Sequence, residues 1–267
     1  MSITIRTVLE ELKAVVEPIE NTVDTLLTGQ PETEVTGIAT AFCATQHVVE
    51  QAIAIGANLL ITHEGVFYSH HDSHEWLEDD PVDPVYATKQ TLIERSELAI
   101  FRYHDYWHRR QPDGIMEGLL RELEWSAYVE EQLATATILS IPVMTVEEAT
   151  QYVKRKLGIS YVRVAGEPSM PCRRVGILVG YRGGGSMAIP LFHHHQLDLI
   201  IAGEGQEWEA PEYVRDAVHQ GRSKALIMLG HAESEAAGMK YLADLLAEKY
   251  PTVSSTFIAE PAVFQVF

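Results

Sequence analysis

Three groups of residues in this chain have the types and spacing for metal chemistry, and all follow short apolar runs. Leu59-Leu60-Ile61-Thr62 ends in His63 and Glu64. Leu98 to Tyr103 ends in His104, with His108 four residues on. Ala225 to Gly230 ends in His231, with Glu235 four residues on. Positions four apart share one face of a helix, so His231 and Glu235 can reach one ion or two neighbouring ones. Glu64 after a buried strand is expensive unless paired or metal-bound. Each group also has a plainer reading. His63 can satisfy a backbone group, Glu64 can start a solvated loop, His104 can bond within its aromatic turn, and Glu is favoured in a first helical turn. Three strand-end groups together favour a shared, polynuclear metal site.

Other residues contribute less. Glu204 falls at the outgoing end of the run Leu199–Ala202 and is a candidate supporting or catalytic carboxylate, with Asp198 at the opposite end. Gly183-Gly184-Gly185 can present backbone N–H groups to a phosphate. His70, His71 and His74 read as a solvated loop with a secondary metal contact as the alternative, and His193-His194-His195 as a surface tract.

These residues need strands and helices to hold them. Short apolar, β-branched runs bounded by turn signals predict buried strands, and ligands in open α/β sheets gather where such strands end. Strands are expected at 35–43, 59–62 and 98–103, alternating with helices at 45–55, 85–95 and 115–123, after a first helix capped by Thr7. Beyond Trp125 the pattern restarts. Strands are expected near 137–141, 161–165, 175–179, 199–202, 224–229, 254–258 and 262–267. A helix at 146–157 carries the capping signature Thr145 with Glu148, and others are expected after the Gly-rich turn, at 211–220 and at 233–250. The alternation predicts an α/β fold with mostly parallel sheets in two lobes, residues 1–125 plus 231–267 and residues 126–230, with the metal site between them at strand C-terminal ends.

Composition narrows the function. The chain has 267 residues and a formal net charge of −18, which disfavours polyanionic partners, nucleic acid and anionic membrane alike. Cys43 and Cys172 form no CxxC pair and no disulfide framework, so a reducing, cytoplasmic setting is expected. No signal-peptide core and no apolar run of about 18 residues is present.

Taken in order, the blocks resemble the NGG-interacting-factor-like, dinuclear metal centre family, also described as type 2 GTP cyclohydrolase I-like. Its Thr-His-His is matched by Thr62-His63-Glu64, its His-Thr-x-x-Asp by His104-Asp105-Tyr106-Trp107-His108 with Gly114 beyond, and its Gly-His-x-x-x-Glu by Gly230-His231 to Glu235. Gly183–Gly185 and Asp198 to Gly203-Glu204 match two intermediate features. Carried over by position, the resemblance implies a ligand set of His63, Glu64, His108, His231 and Glu235, with His104 adjacent. Glu64 and His108 depart from the family pattern by exchanging imidazole and carboxylate. The resemblance implies two divalent transition-metal ions (Zn, Fe, Mn or Ni), His104 or Glu204 as general acid/base, and a hexameric homo-oligomer. The expected activity is hydrolysis of a small-molecule substrate of the nucleotide class, with GTP ring opening as the family's proposed reaction. The alternative is a non-catalytic metal-binding oligomer used as a scaffold or regulator.

Overall fold

The computed structural model describes residues 3–71, 73–79 and 82–267; Met1 and Ser2, and with them Asp72, Asp80 and Pro81 of the expected polar loop, lie outside the described residues. In chain order the elements are α1 (Ile5–Lys13), β1 (Leu26–Thr28), β2 (Gly37–Ala41), α2 (Gln46–Ala54), β3 (Leu59–Thr62), α3 (Pro84–Ser96), β4 (Ala99–Arg102), α4 (Asp105–Arg109) and α5 (Gly114–Glu122). They continue with β5 (Val129–Gln132), β6 (Thr137–Thr145), α6 (Val146–Leu157), β7 (Arg163–Ala165), β8 (Pro171–Leu178) and α7 (Gly185–His194). The last are β9 (Leu199–Ala202), α8 (Ala210–His219), β10 (Ala225–Met228), α9 (His231–Lys249) and β11 (Ser254–Phe257). The fold is α/β, and among the described residues five of the nine strand pairings are parallel. The chain divides into two units, 1–114 with 238–260 and 115–237 with 261–267. Those divisions fall at α5 and within α9, where the sequence places them after 125 and before 231.

The first unit holds a five-stranded sheet in the order β1-β4-β3-β2-β11, parallel except for β1 against β4. Every residue of β2, β3 and β4 is buried, as expected of parallel strands covered on both faces. Ala39, Leu60 and Ile100 pack with Val48, Val49 and Ile93 of α2 and α3 in one apolar cluster. The first helix is capped by Thr4, whose side chain accepts from Thr7 N, rather than by Thr7 as expected. The two threonines lie three apart, and only the upstream one has the extended backbone that a cap needs.

The second unit holds a six-stranded sheet in the order β5-β6-β8-β9-β10-β7. Its centre, β8-β9-β10, is parallel, while β5, β6 and β7 pair antiparallel. Leu178, Ile200 and Leu226 pack with Phe192 and Val214 of α7 and α8. The expected capping box is present: Thr145 Oγ1 accepts from Glu148 N, and Glu148 accepts from Thr145 N. Residues 262–267, expected as a strand, form none; Val263, Phe264, Val266 and Phe267 are exposed. Alternating apolar residues make a strand only where a neighbouring strand completes the ladder, and what ties this segment is a side chain, Tyr161 Oη donating to Phe264 O at 2.8 Å. No helix among the described residues is long and apolar enough to cross a membrane.

Candidate metal centre

In the first unit, sheet register does the positioning. Thr62 pairs with Arg102 in the parallel ladder, so the residues that follow each, His63-Glu64 and Tyr103-His104, leave the sheet side by side. His63 N donates to Phe42 O at 3.0 Å and Tyr103 N to Thr62 O at 2.8 Å, which ties the three strand ends together. Asp24 then starts α4. Its carboxylate accepts from the backbone N–H groups of His104, Asp105 and Tyr106 at 2.8–3.0 Å, as a helix cap supplied from elsewhere in the chain. Burial pushes the Asp24 carboxyl up, and those three backbone donors pull against that shift. With α4 so anchored, His104 and His108 sit four apart on one helical face.

Three imidazoles converge as a result. The His63 and His104 rings stack at 4.5 Å between centroids, and His108 stands edge-on to both at 4.9 Å. One nitrogen from each lies within 4.8 Å of the others. The Nδ1 atoms are all tied to protein acceptors: His63 to Tyr103 O at 3.3 Å, His104 to Asp105 Oδ1 at 3.0 Å, and His108 to Asp113 Oδ2 at 2.9 Å. A neutral imidazole that donates from Nδ1 keeps its Nε2 lone pair for an ion. Asp105 is itself held by Thr22 Oγ1 at 2.9 Å and Val23 N at 3.2 Å. Burial is the largest single effect and pushes its carboxyl up, but the hydrogen bonds from His104, Thr22 and Val23 together outweigh it and hold the carboxyl below the usual range. The donor set fits a divalent transition metal.

Glu64 is placed on the same flank, with Oε2 at 2.7 Å from Arg102 Nη2 and Oε1 at 3.8 Å from His104 Nε2. His70, read as solvated, is half-exposed yet lies with Nδ1 3.0 Å from Arg102 Nη2. The last feature of the motif, Gly114, has a packing reason: a Cβ there would come within 2.3 Å of the Trp107 ring.

The second unit assembles its group in the same way. Leu178, Ala202 and Met228 are in register, and Gly203 N to Leu178 O (3.0 Å), Leu229 N to Ala202 O (2.8 Å) and Gly230 N to Gly203 O (2.9 Å) extend the ladder past the strand ends. Gly180, Glu204 and His231 thereby meet. His231 Nδ1 lies 2.9 Å from Glu204 Oε1, and Nε2 lies 3.2 Å from Glu235 Oε2. Burial of the ring opposes its charge, but the Glu235 and Glu204 carboxylates outweigh burial and hold the imidazole up at about 9. Two carboxylates around one imidazole hold a proton where a cation of higher charge can bind, and binding would expel that proton. Gly180 forms the wall behind them: at φ +61°, its Cβ would lie 2.3 Å from Glu235 Oε1 and 3.1 Å from His231 Nε2.

The Gly-rich turn is not open to a phosphate as expected. Gly185 N donates to Glu209 Oε2 at 2.5 Å and Gly183 N to Glu204 O at 3.0 Å, so a protein carboxylate holds the N-terminal end of α7. Asp198 accepts from the backbone of Arg173 and Arg174 at 2.9 Å, a structural role. His193 and His194 are exposed at the end of α7. Asp24, Asp113, Arg102 and the Tyr103 carbonyl are supporting groups that sequence reasoning missed. Asp113, five residues beyond His108 in a turn, carried the one signal that spacing could have offered.

Comparison with known proteins gives the family and the fold. A family model described as Duf34/NIF3 (NGG1p interacting factor 3) matches residues 9–262. A protein of Clostridium perfringens named GTP cyclohydrolase 1 type 2 homolog is 22% identical over 218 residues, covering 79% of this chain and 77% of its own. A hypothetical protein of Staphylococcus aureus superposes with a TM-score of 0.72 at 18% identity over 100% of both chains. A Bacillus cereus protein related to NIF3 superposes with a TM-score of 0.75 at 14% identity, over 100% of this chain and 99% of that one.

Proposed function

The chain belongs to the Duf34/NIF3 family, and on that premise we propose that it is a metal-dependent hydrolase of a nucleotide or related small molecule. The observation that carries the reading is the group of three imidazoles with every Nδ1 engaged by the protein. Such pre-set tautomers leave each Nε2 lone pair available to an ion. In this reading one ion binds at His63, His104 and His108, and a second at His231 and Glu235. Zn, Fe, Mn and Ni all suit these nitrogen and oxygen donors. A bound divalent ion supplies Lewis acidity and a water of lowered pKa. The chain's own residues supply the rest. Asp105 and Asp113 fix imidazole orientation, and Glu204 holds His231 through Nδ1. Glu204 is also half-exposed, so it can pass a proton to solvent. His104, expected as an acid/base candidate, serves here as a ligand. The name of the Clostridium perfringens relative makes guanine nucleotides the first substrates to try. A homo-oligomer, hexameric by resemblance, in a reducing cytoplasm that keeps both cysteines free completes the proposal.

The test is elemental analysis of the purified protein beside His63→Ala and His231→Ala, followed by a nucleotide and phosphoester panel. About two ions per chain, one lost in each variant together with turnover, is the expected result. Metal without turnover on any substrate would favour the non-catalytic scaffold. No metal after reconstitution would end the metalloenzyme reading. Sedimentation velocity decides the oligomer.

A further inference from the structure

Arg102 ends β4 with its side chain fully buried. A buried guanidinium is costly unless its donors are matched, and here each edge has a partner. Nη2 donates to Glu64 Oε2 at 2.7 Å and lies 3.0 Å from His70 Nδ1, Nη1 donates to the His70 carbonyl, and Nε donates to the His63 carbonyl at 3.3 Å. Glu64, His70 and His104 can also bring one ligand atom each within 4.8 Å, which on donor chemistry alone describes a second metal position beside the three imidazoles. The guanidinium already bonds two of those three side chains. It cannot be deprotonated, so an ion drawn to Glu64 Oε2 and His70 Nδ1 would meet a permanent positive charge at contact distance. Because His70 Nδ1 accepts from that guanidinium, its lone pair is spent and the ring proton sits on Nε2.

We infer that the Arg102 guanidinium supplies the positive charge that a metal ion would otherwise supply on the Glu64–His70 flank, so that Glu64 and His70 are not metal ligands in this chain. Only the corollary, that the ion of this unit binds His63, His104 and His108 alone, rests on the function proposed above. Glu64, which the resemblance places among the ligands, is thereby paired with a fixed cation beside an outward imidazole N–H.

Zinc titration followed by calorimetry and native mass spectrometry tests this without reference to turnover. Glu64→Gln is expected to keep the wild-type ion count, with affinity within about twofold. Loss of an ion, or weakening of about tenfold or more, the range seen even for outer partners of a metal ligand, would overturn the inference. Arg102→Met is expected to gain one ion over wild type and to lose it again when His70→Ala is added. A folded Arg102→Met variant that gains none would equally overturn it. Should wild type bind no zinc, the proposed function fails, while the gain in Arg102→Met still decides the role of the guanidinium. Should Arg102→Met fail to fold, the Glu64→Gln titration decides it alone.

Discussion

On the proposed function, metal affinity depends on carboxylates that no ion need touch. Asp113 determines which nitrogen of His108 carries the proton. Asp113→Asn is expected to weaken zinc binding by about 10–100-fold and to leave the unfolding temperature nearly unchanged, as competition with a chromophoric chelator and a thermal melt would show. An equal loss of stability would mean that Asp113 is a packing residue. Lys89 offers a different test of a buried charge. Its ammonium donates to the Val66 carbonyl and lies 5.3 Å and 5.2 Å from the Phe67 and Tyr68 ring centres. Burial pushes it from 10.5 down to about 8. Between those two values the unfolded chain holds a proton that the folded chain has released, so this group's contribution to stability rises with pH across the window, at up to about 1.4 kcal/mol per pH unit. Lys89→Met keeps the aliphatic stem and removes the proton. Wild type should therefore gain stability relative to the variant from pH 8 to 10 in urea unfolding. Cys43, whose thiol burial pushes up to about 12, acts in the opposite direction and interacts with Lys89, so the comparison is made with Cys43→Ala in both chains. A gap independent of pH would show that Lys89 titrates normally.

At the scale of elements, both groups are made by in-register parallel strands whose next residues leave the sheet together, and by backbone that must come close. Gly180 is the tightest point. Gly180→Ala asks an L-residue to hold φ +61° and puts a methyl against Glu235. The backbone alone should cost about 1–2 kcal/mol, and the His231–Glu235 ion should be lost while the one at His63 stays. Retention of both ions would show that the wall can shift. Thr145→Ala is the control: it removes one cap of α6, should cost about 1 kcal/mol, and should leave metal content alone.

Charge acts over the whole molecule. With 38 acidic residues against 20 basic, self-repulsion works against the folded state. Raising ionic strength from about 10 mM to about 150 mM shortens the screening length from about 30 Å to about 8 Å. The unfolding midpoint should then rise by a few degrees in a calorimeter, in sodium chloride and potassium chloride alike. A fall, or a rise with one salt only, would point to specific ion binding instead.

The sequence by itself determined the buried strands β3, β4, β9 and β10, because a strand covered on both faces reads as a nearly continuous apolar run, and it placed His63, His104, His108, His231 and Glu235 at their ends. It also determined the cap of α6, a purely local hydrogen-bond exchange. It left β1, β5 and α4 unmarked: they are short, and α4 starts because Asp24, far away in the chain, accepts its first N–H groups. The terminal segment 262–267 shows the converse, a strand-like pattern with no ladder to join. What only the tertiary structure decided is which partner each polar group takes: Glu209 closing the Gly-rich turn, Asp113 orienting His108, Arg102 binding Glu64 and His70. Spacing along a chain constrains what a side chain can reach on its own helix or strand. A buried charge is matched by whatever the fold brings beside it, and that neighbour is chosen by sheet register.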